Sequence, residues 1–299
     1  MKLRELGEDR LLSQLLPRLP RHGSVVLGAG DDCAVVESPG KDKLHLLKTD
    51  CVVEGIHFTM EDRPASVGWK AMARPLSDFA AMSGVPQFAL VTMIVPADRT
   101  VVWVKQIYRG LEKAAGAFDV AIVGGDTSSI EGPAVISVSL TGFAEKGRWV
   151  GRNGGKAGDE LFVTGRLGGS LRGRHLKFRP RIRESRWLTG HFSIHAMMDL
   201  SDGLGVDLPR LARASGLGFE VDEKELPLNR GCTISQAISD GEDYELLLAI
   251  SPADVRSLPK RWRKKFPNVP LTRIGRLSPE SNPPKADQNP KWTGYAHFQ

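Results

Sequence analysis

The 299-residue sequence has only three cysteines, Cys33, Cys51 and Cys232, scattered along the chain with no CxxC or Cys/His grouping. That leaves no zinc framework or disulfide scaffold to read, and a reducing cytoplasm is the default compartment. The longest apolar run, around Ala89 to Val95, falls far short of the ~20 residues a membrane helix requires. The opening MKLRELGEDR carries acids early and no apolar stretch, so no secretory signal is expected. The usual phosphate-handling motifs are missing too. There is no GxxxxGK[ST] loop, since GRNGGKAG at 151–158 lacks both the spacing and the hydroxyl residue. No GxGxxG follows a strand, and there is no HRD…DFG set, GxSxG elbow or HExxH helix.

What is present is ordinary in bulk. Hydrophobic residues make up 41% and charged residues 25%, which excludes global disorder. The length suits two domains of about 150 residues each. Lys and Arg exceed Asp and Glu by 41 to 35, a net charge of +6, and such an excess invites polyanionic partners. Much of it lies in residues 166–186 and in the cluster Arg261, Arg263, Lys264 and Lys265. With 3 tyrosines and few interleaved aromatics, these runs offer little stacking surface for nucleic acid. Solvated basic faces are the simpler reading, so neither a nucleic-acid nor a membrane partner is expected.

Short apolar runs that read as strands alternate with helical patterns along the whole chain. SVVLG, CAVVE, KLHLLKTD, QFALVTMIVP, VAIVGGD and AVISVSLTGFA are the strands of the first half. A helical pattern covers 64–83, with Pro75 expected to end or kink it. A second runs from Asp98 to Gly116, with Asp98 or Thr100 as N-cap. The glycine-rich EKGRWVGRNGGKAGDE at 145–160 is the best domain boundary, dividing the chain into 1–147 and 148–299. ELFVTG, GFEVD, YELLLAI and LTRIGRL are the strands beyond it, with a helix at 204–214 and a basic helix near 252–265. The alternation implies mixed α/β or α+β layers. The Pro/Asn/Lys-rich 279–291 reads as an exposed loop.

The most informative feature is a set of acidic motifs at strand ends: Gly30-Asp31-Asp32, Thr49-Asp50, Ser77-Asp78, Gly124-Gly125-Asp126-Thr127, Asp199-Leu200-Ser201-Asp202-Gly203 and Gly241-Glu242-Asp243. Each sets a carboxylate beside glycine or a small hydroxyl residue. Any one alone is an ordinary turn or cap. Repeated at the ends of apolar strands, they suit Mg²⁺, a hard ion shared between carboxylates and substrate phosphates. Glycine lets backbone N–H groups approach phosphate oxygens.

At these residues the chain resembles the thiamine-monophosphate kinases, in the superfamily that also holds aminoimidazole ribonucleotide synthetase, selenophosphate synthetase and a hydrogenase maturation factor. The matching strings are GAGDDCAVV, KTDCVVEGIHF, PLSDFAAMSGVP, YRGL, IVGGDTS, GRNGGKAGDELFVTG, MDLSDGLGVDL, GEDYELL and the tail KWTGYAHF. The resemblance implies a PurM-like fold: an N-terminal α+β domain that forms a homodimer through its sheet, and a C-terminal α/β domain that closes over the nucleotide. It implies transfer of phosphate from ATP to thiamine monophosphate with several Mg²⁺ ions, and no general base. By residue matching, Asp32, Thr49, Asp50, Asp78, Asp126, Asp199 and Asp202 would hold metal. Gly125, Asp126, Arg152, Ser201 and Tyr108 would contact ATP, and His57, Glu242 and Tyr295 would lie on the thiamine side.

Bland readings stand beside these. Tyr108 lies on a helical pattern suited to core packing, and His57 suits a structural histidine. Tyr295 suits an aromatic cap, Asp31 a turn, and Asp207 a solvated or capping acid. Lys48 stands where the family usually carries Ser or Thr. Asp240 replaces the first Gly of a Gly-Gly-Glu-Asp turn, and the basic segment between Gly169 and Gly190 is shortened. These departures keep a second reading open, a different phosphate or carboxylate acceptor on the same fold.

Overall fold

The computed structural model describes residues 2–20, 22–40, 42–279 and 292–295. The tail residues His297 and Phe298 and most of the 279–291 loop lie outside the described residues. Two short helices, α1 (Leu3–Leu6) and α2 (Glu8–Leu15), precede the first sheet. That sheet comprises β1 (Val25–Leu27), β2 (Ala34–Glu37), β3 (Lys43–Val53), β4 (Val85–Val95), β5 (Ala121–Ser129) and β6 (Val135–Glu145). Its order is β1-β2-β3-β6-β4-β5. The pairs are antiparallel except β4 with β5, which run parallel. The second sheet contains β7 (Glu160–Thr164), β8 (Ile194–Asp199), β9 (Gly218–Val221), β10 (Leu246–Ile250) and β11 (Leu271–Ser278), in the order β8-β10-β7-β11-β9. Every pair in it is antiparallel. Where alternation in the sequence leaves α/β and α+β open, the pairing makes the molecule α+β.

Two helices cover the inner face of the first sheet: α3 (Pro64–Ala81) and α4 (Val101–Ala117). Strand alternation produces that face: Ile136, Val138, Leu140, Gly142 and Ala144 of β6 are buried, and the residues between them are partly exposed. Thr100 caps α4 by accepting the Trp103 N–H at 3.2 Å. The second sheet carries α5 (Ile182–Thr189), α6 (Leu204–Ala214), α7 (Ile234–Ser239) and α8 (Leu258–Lys265).

Helix α3 is the keystone. It packs on β3 and β6 of the first sheet, and on α5 and β8 of the second half. Met72, Leu76 and Phe79 are fully buried. The sequence leads one to expect a break at Pro75, yet α3 continues through it to Ala81. A proline inside a helix costs about 3 kcal/mol, and burial of these large side chains at roughly 1.5–3 kcal/mol each outweighs it.

Candidate active site

Helix α3 is apolar along most of its length but carries Lys70, Arg74 and Asp78 at four-residue spacing, with Ser77 beside the last. That spacing puts them on one face. Arg74 and Asp78 of that face line a cleft of about 860 Å³ between the two halves of the molecule. Asp32, Thr49, Asp50, Asp78, Arg152, Asp199, Ser201 and Asp202 all line the cleft.

Three carboxylates form its floor. Ligand oxygens of Asp32, Asp78 and Asp199, all buried, lie within 4.8 Å of one another. They come from the loop before β2, from α3 and from the end of β8. Ser77 Oγ donates to Asp199 at 2.6 Å. Burial, reinforced by the Asp32 charge, lifts Asp199 to about 7. Burial also holds Asp78 well above the usual carboxylate range, against the pull of Lys48. Buried all-oxygen donors that crowd negative charge fit a hard divalent cation such as Mg²⁺, which takes carboxylates and keeps waters.

Around this floor, carboxylates and cations pair off. Lys48 Nζ donates to Asp78 at 2.8 Å, Arg74 lies 3.2 Å from Asp50, Arg152 grips Asp32 through two nitrogens, and Arg210 bonds Asp202. Lys48 and Asp50 lie on the helix side of β3. Thr49, by alternation, turns its hydroxyl to the opposite face, 3.1 Å from Ser139 Oγ. Asp31 is a turn residue, accepting the N–H groups of Asp32 and Arg152. Asp207 is not solvated: it is fully buried, and it receives the N–H groups of Asp202 and Gly203 at the start of α6.

The acidic turn at 241–244 is stitched to the one at 199–203. Glu242 N–H donates to Ser201 C=O at 2.7 Å, and Tyr244 N–H to Leu200 C=O at 2.8 Å. Glu242 and Tyr244 both hold φ of 52°, a region costly for residues with a Cβ. Asp240 carries no such strain. Its φ is −65°, and its carboxylate accepts the Gly169 N–H at 2.7 Å. Gly241, with φ of 67°, takes the left-handed position instead.

His57 and Glu242 meet through Lys70, whose Nζ donates at 2.7 Å to the His57 carbonyl and to both Glu242 oxygens. Burial lowers the Lys70 amine to about 8 against the pull of Glu242. His57 Nδ1 accepts the Val53 N–H at 3.1 Å. Tyr295 is tied to the cleft residue Asp202, its N–H donating to the Asp202 carbonyl at 2.9 Å; the residue is 41% exposed.

Gly125 and Asp126 stand apart. Asp126 pairs with Thr92, which pairs with Ser137, which pairs with Cys51 next to Asp50. Three interstrand steps of roughly 4.8 Å put Asp126 about 14 Å from β3, on the outer, exposed face of the edge strand. Gly125 is fixed sterically, because a Cβ there would strike the Val91 carbonyl. Tyr108 lies on α4, partly buried against the hydrophobic core.

Comparison with known proteins places the chain in a family. The AIR synthase related protein, N-terminal domain family matches residues 30–145, and the AIR synthase related protein, C-terminal domain family matches 146–281. Thiamine-monophosphate kinase of Rhodopirellula baltica is 38% identical over 288 residues, spanning 90% of this chain and 89% of its own. The chain belongs to the thiamine-monophosphate kinase family. The family's Aquifex aeolicus member is 36% identical, covering 93% of each chain. A solved structure, AaThiL complexed with AMPPCP and TMP, superposes with a TM-score of 0.85 at 33% identity, covering 100% of this chain and 99% of the other.

Within this thiamine-monophosphate kinase family member, sequence reasoning missed Arg74 and Arg210, which hold the cleft carboxylates Asp50 and Asp202, and Lys70, which holds Glu242. The signal for the first two was there: polar residues spaced by four in a helix otherwise apolar enough to be buried all round.

Proposed function

We propose that this protein transfers the terminal phosphoryl group of ATP to thiamine monophosphate, giving ADP and thiamine diphosphate. The observation that carries this reading is the meeting of Asp32, Asp78 and Asp199 within 4.8 Å, in a chain similar over its full length to a structure holding AMPPCP and TMP. The acceptor is a phosphate monoester with a second pKa of about 6, so at neutral pH it is mostly dianionic and needs no general base. The difficulty is bringing two polyanions together, since like charges a few Å apart repel strongly in a site of low dielectric. Several Mg²⁺ ions bound by Asp32, Asp50, Asp78, Asp199 and Asp202, with Thr49 through its carbonyl oxygen and Asp126 from a partner subunit, would offset that repulsion and align an in-line transfer with a loose transition state.

The chain's own groups do the rest. Arg152 presents a planar fork suited to phosphate oxygens, and Ser201 offers a hydroxyl on the same wall. His57, Glu242 and Tyr295 hold the thiamine end, with Glu242 placed to face the cationic thiazolium and Tyr295 to stack on a ring. Lys70 is a positioning residue that fixes Glu242 against His57.

We further infer two working units, 1–147 and 148–299, and a homodimer through the outer face of the first sheet. Leu47, Phe88 and Leu90 are 42%, 48% and 48% exposed on that face, an apolar surface of the kind that marks an interface. A symmetric dimer there would give Gly125 and Asp126 a route to a partner's cleft that their own sheet denies them. A cytoplasmic setting suits the free thiols of Cys33, Cys51 and Cys232. Among the described residues, no helix is long and apolar enough to cross a membrane. Turnover of thiamine monophosphate tests the reading; transfer to a different acceptor in its place would replace it.

A further inference from the structure

On the far side of Tyr244 from the acidic cleft lies a second cavity, of about 610 Å³, with the opposite charge. Arg166, Arg172, Arg174, Lys177, Arg179 and Arg181 line it. Two of these are committed: Arg181 Nε bonds Glu245 at 2.7 Å, and Arg174 lies 3.6 Å from Asp243. The other four form no ion pair among the described residues, Arg179 acting on Glu184 only at longer range. Arg166 donates to the Leu228 carbonyl, Arg179 lies over the Phe118 ring, and Arg172 and Lys177 are exposed. Phe178, between two of the cations, stacks on Tyr244 with ring centroids 3.8 Å apart, and its carbonyl is pinned by Trp69 Nε1 at 2.8 Å.

Uncompensated like charges around one concavity repel and raise the local concentration of anions. The volume falls in the usual range for small-molecule sites, about 300–1,000 Å³, and a concavity of that size suits a compact anion better than a long strand. Arginine forks favour paired phosphate oxygens. We propose that this cavity is a binding site for a small molecule bearing a diphosphate or triphosphate group, separate from the site of phosphoryl transfer. Tyr244 lines both cavities, so an occupant would abut the strained turn that carries Glu242.

The test is calorimetric titration of the full-length protein, at low ionic strength with EDTA, so that no divalent ion supports binding in the acidic cleft. Inorganic pyrophosphate and ADP are the probes. Saturable binding of either, weakened at least about tenfold in an Arg172→Ala/Lys177→Ala double variant and unchanged in Asp199→Asn, is the expected result. Tighter binding of ADP than of pyrophosphate would add recognition of a nucleoside, and the reverse would mark the phosphates alone. Both mutated side chains are exposed and form no ion pair among the described residues, so the double variant should keep the wild-type melting temperature and turnover. The proposal is overturned if neither probe binds at millimolar concentration, if the double variant binds as the wild type does, or if Asp199→Asn abolishes binding. It is also overturned if a single-stranded oligonucleotide binds tightly and pyrophosphate fails to displace it. Because the titration needs neither metal nor turnover, its failure leaves the phosphoryl-transfer reading intact.

Discussion

Lys70 Nζ lies 2.7 Å from each carboxylate oxygen of Glu242, across the junction between α3 and the second half of the molecule. The lysine side chain is fully buried while the glutamate is 17% exposed, so the pair holds one partly exposed carboxylate on a buried cationic anchor. The amine sits at about 8, below its unfolded value near 10.5. Below pH 8 both folded and unfolded chains carry the proton. Between about 8 and 10.5 only the unfolded chain does, so this group makes stability rise with pH across that window, by at most about 3 kcal/mol. Urea unfolding from pH 7 to 10.5 should show the rise in the wild type and its loss in Lys70→Met. The variant should also raise KM for thiamine monophosphate about tenfold, the scale of a lost charge-assisted contact, with a smaller change in kcat. Coincident pH profiles would remove Lys70 from this role.

Asp199 is buried beside Asp32 and gains stability by losing its charge. In metal-free buffer, Asp199→Asn should melt a few degrees above the wild type. Its turnover should fall by at least about 10³-fold. A variant that is inactive but more stable separates a site residue from a structural one; an unchanged rate would take Asp199 out of the site.

Divalent ions and nucleotide should stabilise together. Mg²⁺ with a nonhydrolysable ATP analogue at about a hundred times its Kd should add about 2.7 kcal/mol, seen as a rise in melting temperature that EDTA reverses. The same addition to Asp78→Asn should give a much smaller rise. Equal shifts in both proteins would argue against carboxylate-held metal.

Subunit mixing tests the dimer. Asp126→Asn and Asp199→Asn should each be inactive alone. If Asp126 serves the partner's cleft, a heterodimer of the two variants retains one intact site of two, and random exchange recovers about a quarter of wild-type activity. Persistent inactivity after demonstrated exchange would show that both residues serve the same chain's site.

The sequence reveals this molecule unevenly. Asp32, in the loop before β2, and Asp199, at the end of β8, could be read because glycine and small hydroxyl residues frame them; Asp50, Asp78 and Asp126, expected at strand ends, lie inside β3, α3 and β5. Thr49 and Asp50 are both expected at the metal, but side chains alternate along a strand, so their side chains face opposite ways. Pro75 misleads because local propensity yields to packing when a helix is buried on all sides. Lys70 and Arg74 escape notice because a polar residue in a helix normally marks its solvent face. Only the second half of the molecule, folded over α3, turns that stripe inward. Gly125-Asp126 looks like the other motifs in sequence, but sheet order, set by long-range pairing, carries it to the far edge. Asp240 departs from the family's glycine at no conformational cost, because the left-handed residue is the next one, Gly241.

The central claim is tested most directly by incubating the purified protein with ATP, Mg²⁺ and thiamine monophosphate and separating the products by chromatography. Thiamine diphosphate and ADP should form in equal amounts, with none when EDTA replaces Mg²⁺. ATP consumed without thiamine diphosphate, or no product at saturating substrate, would contradict it.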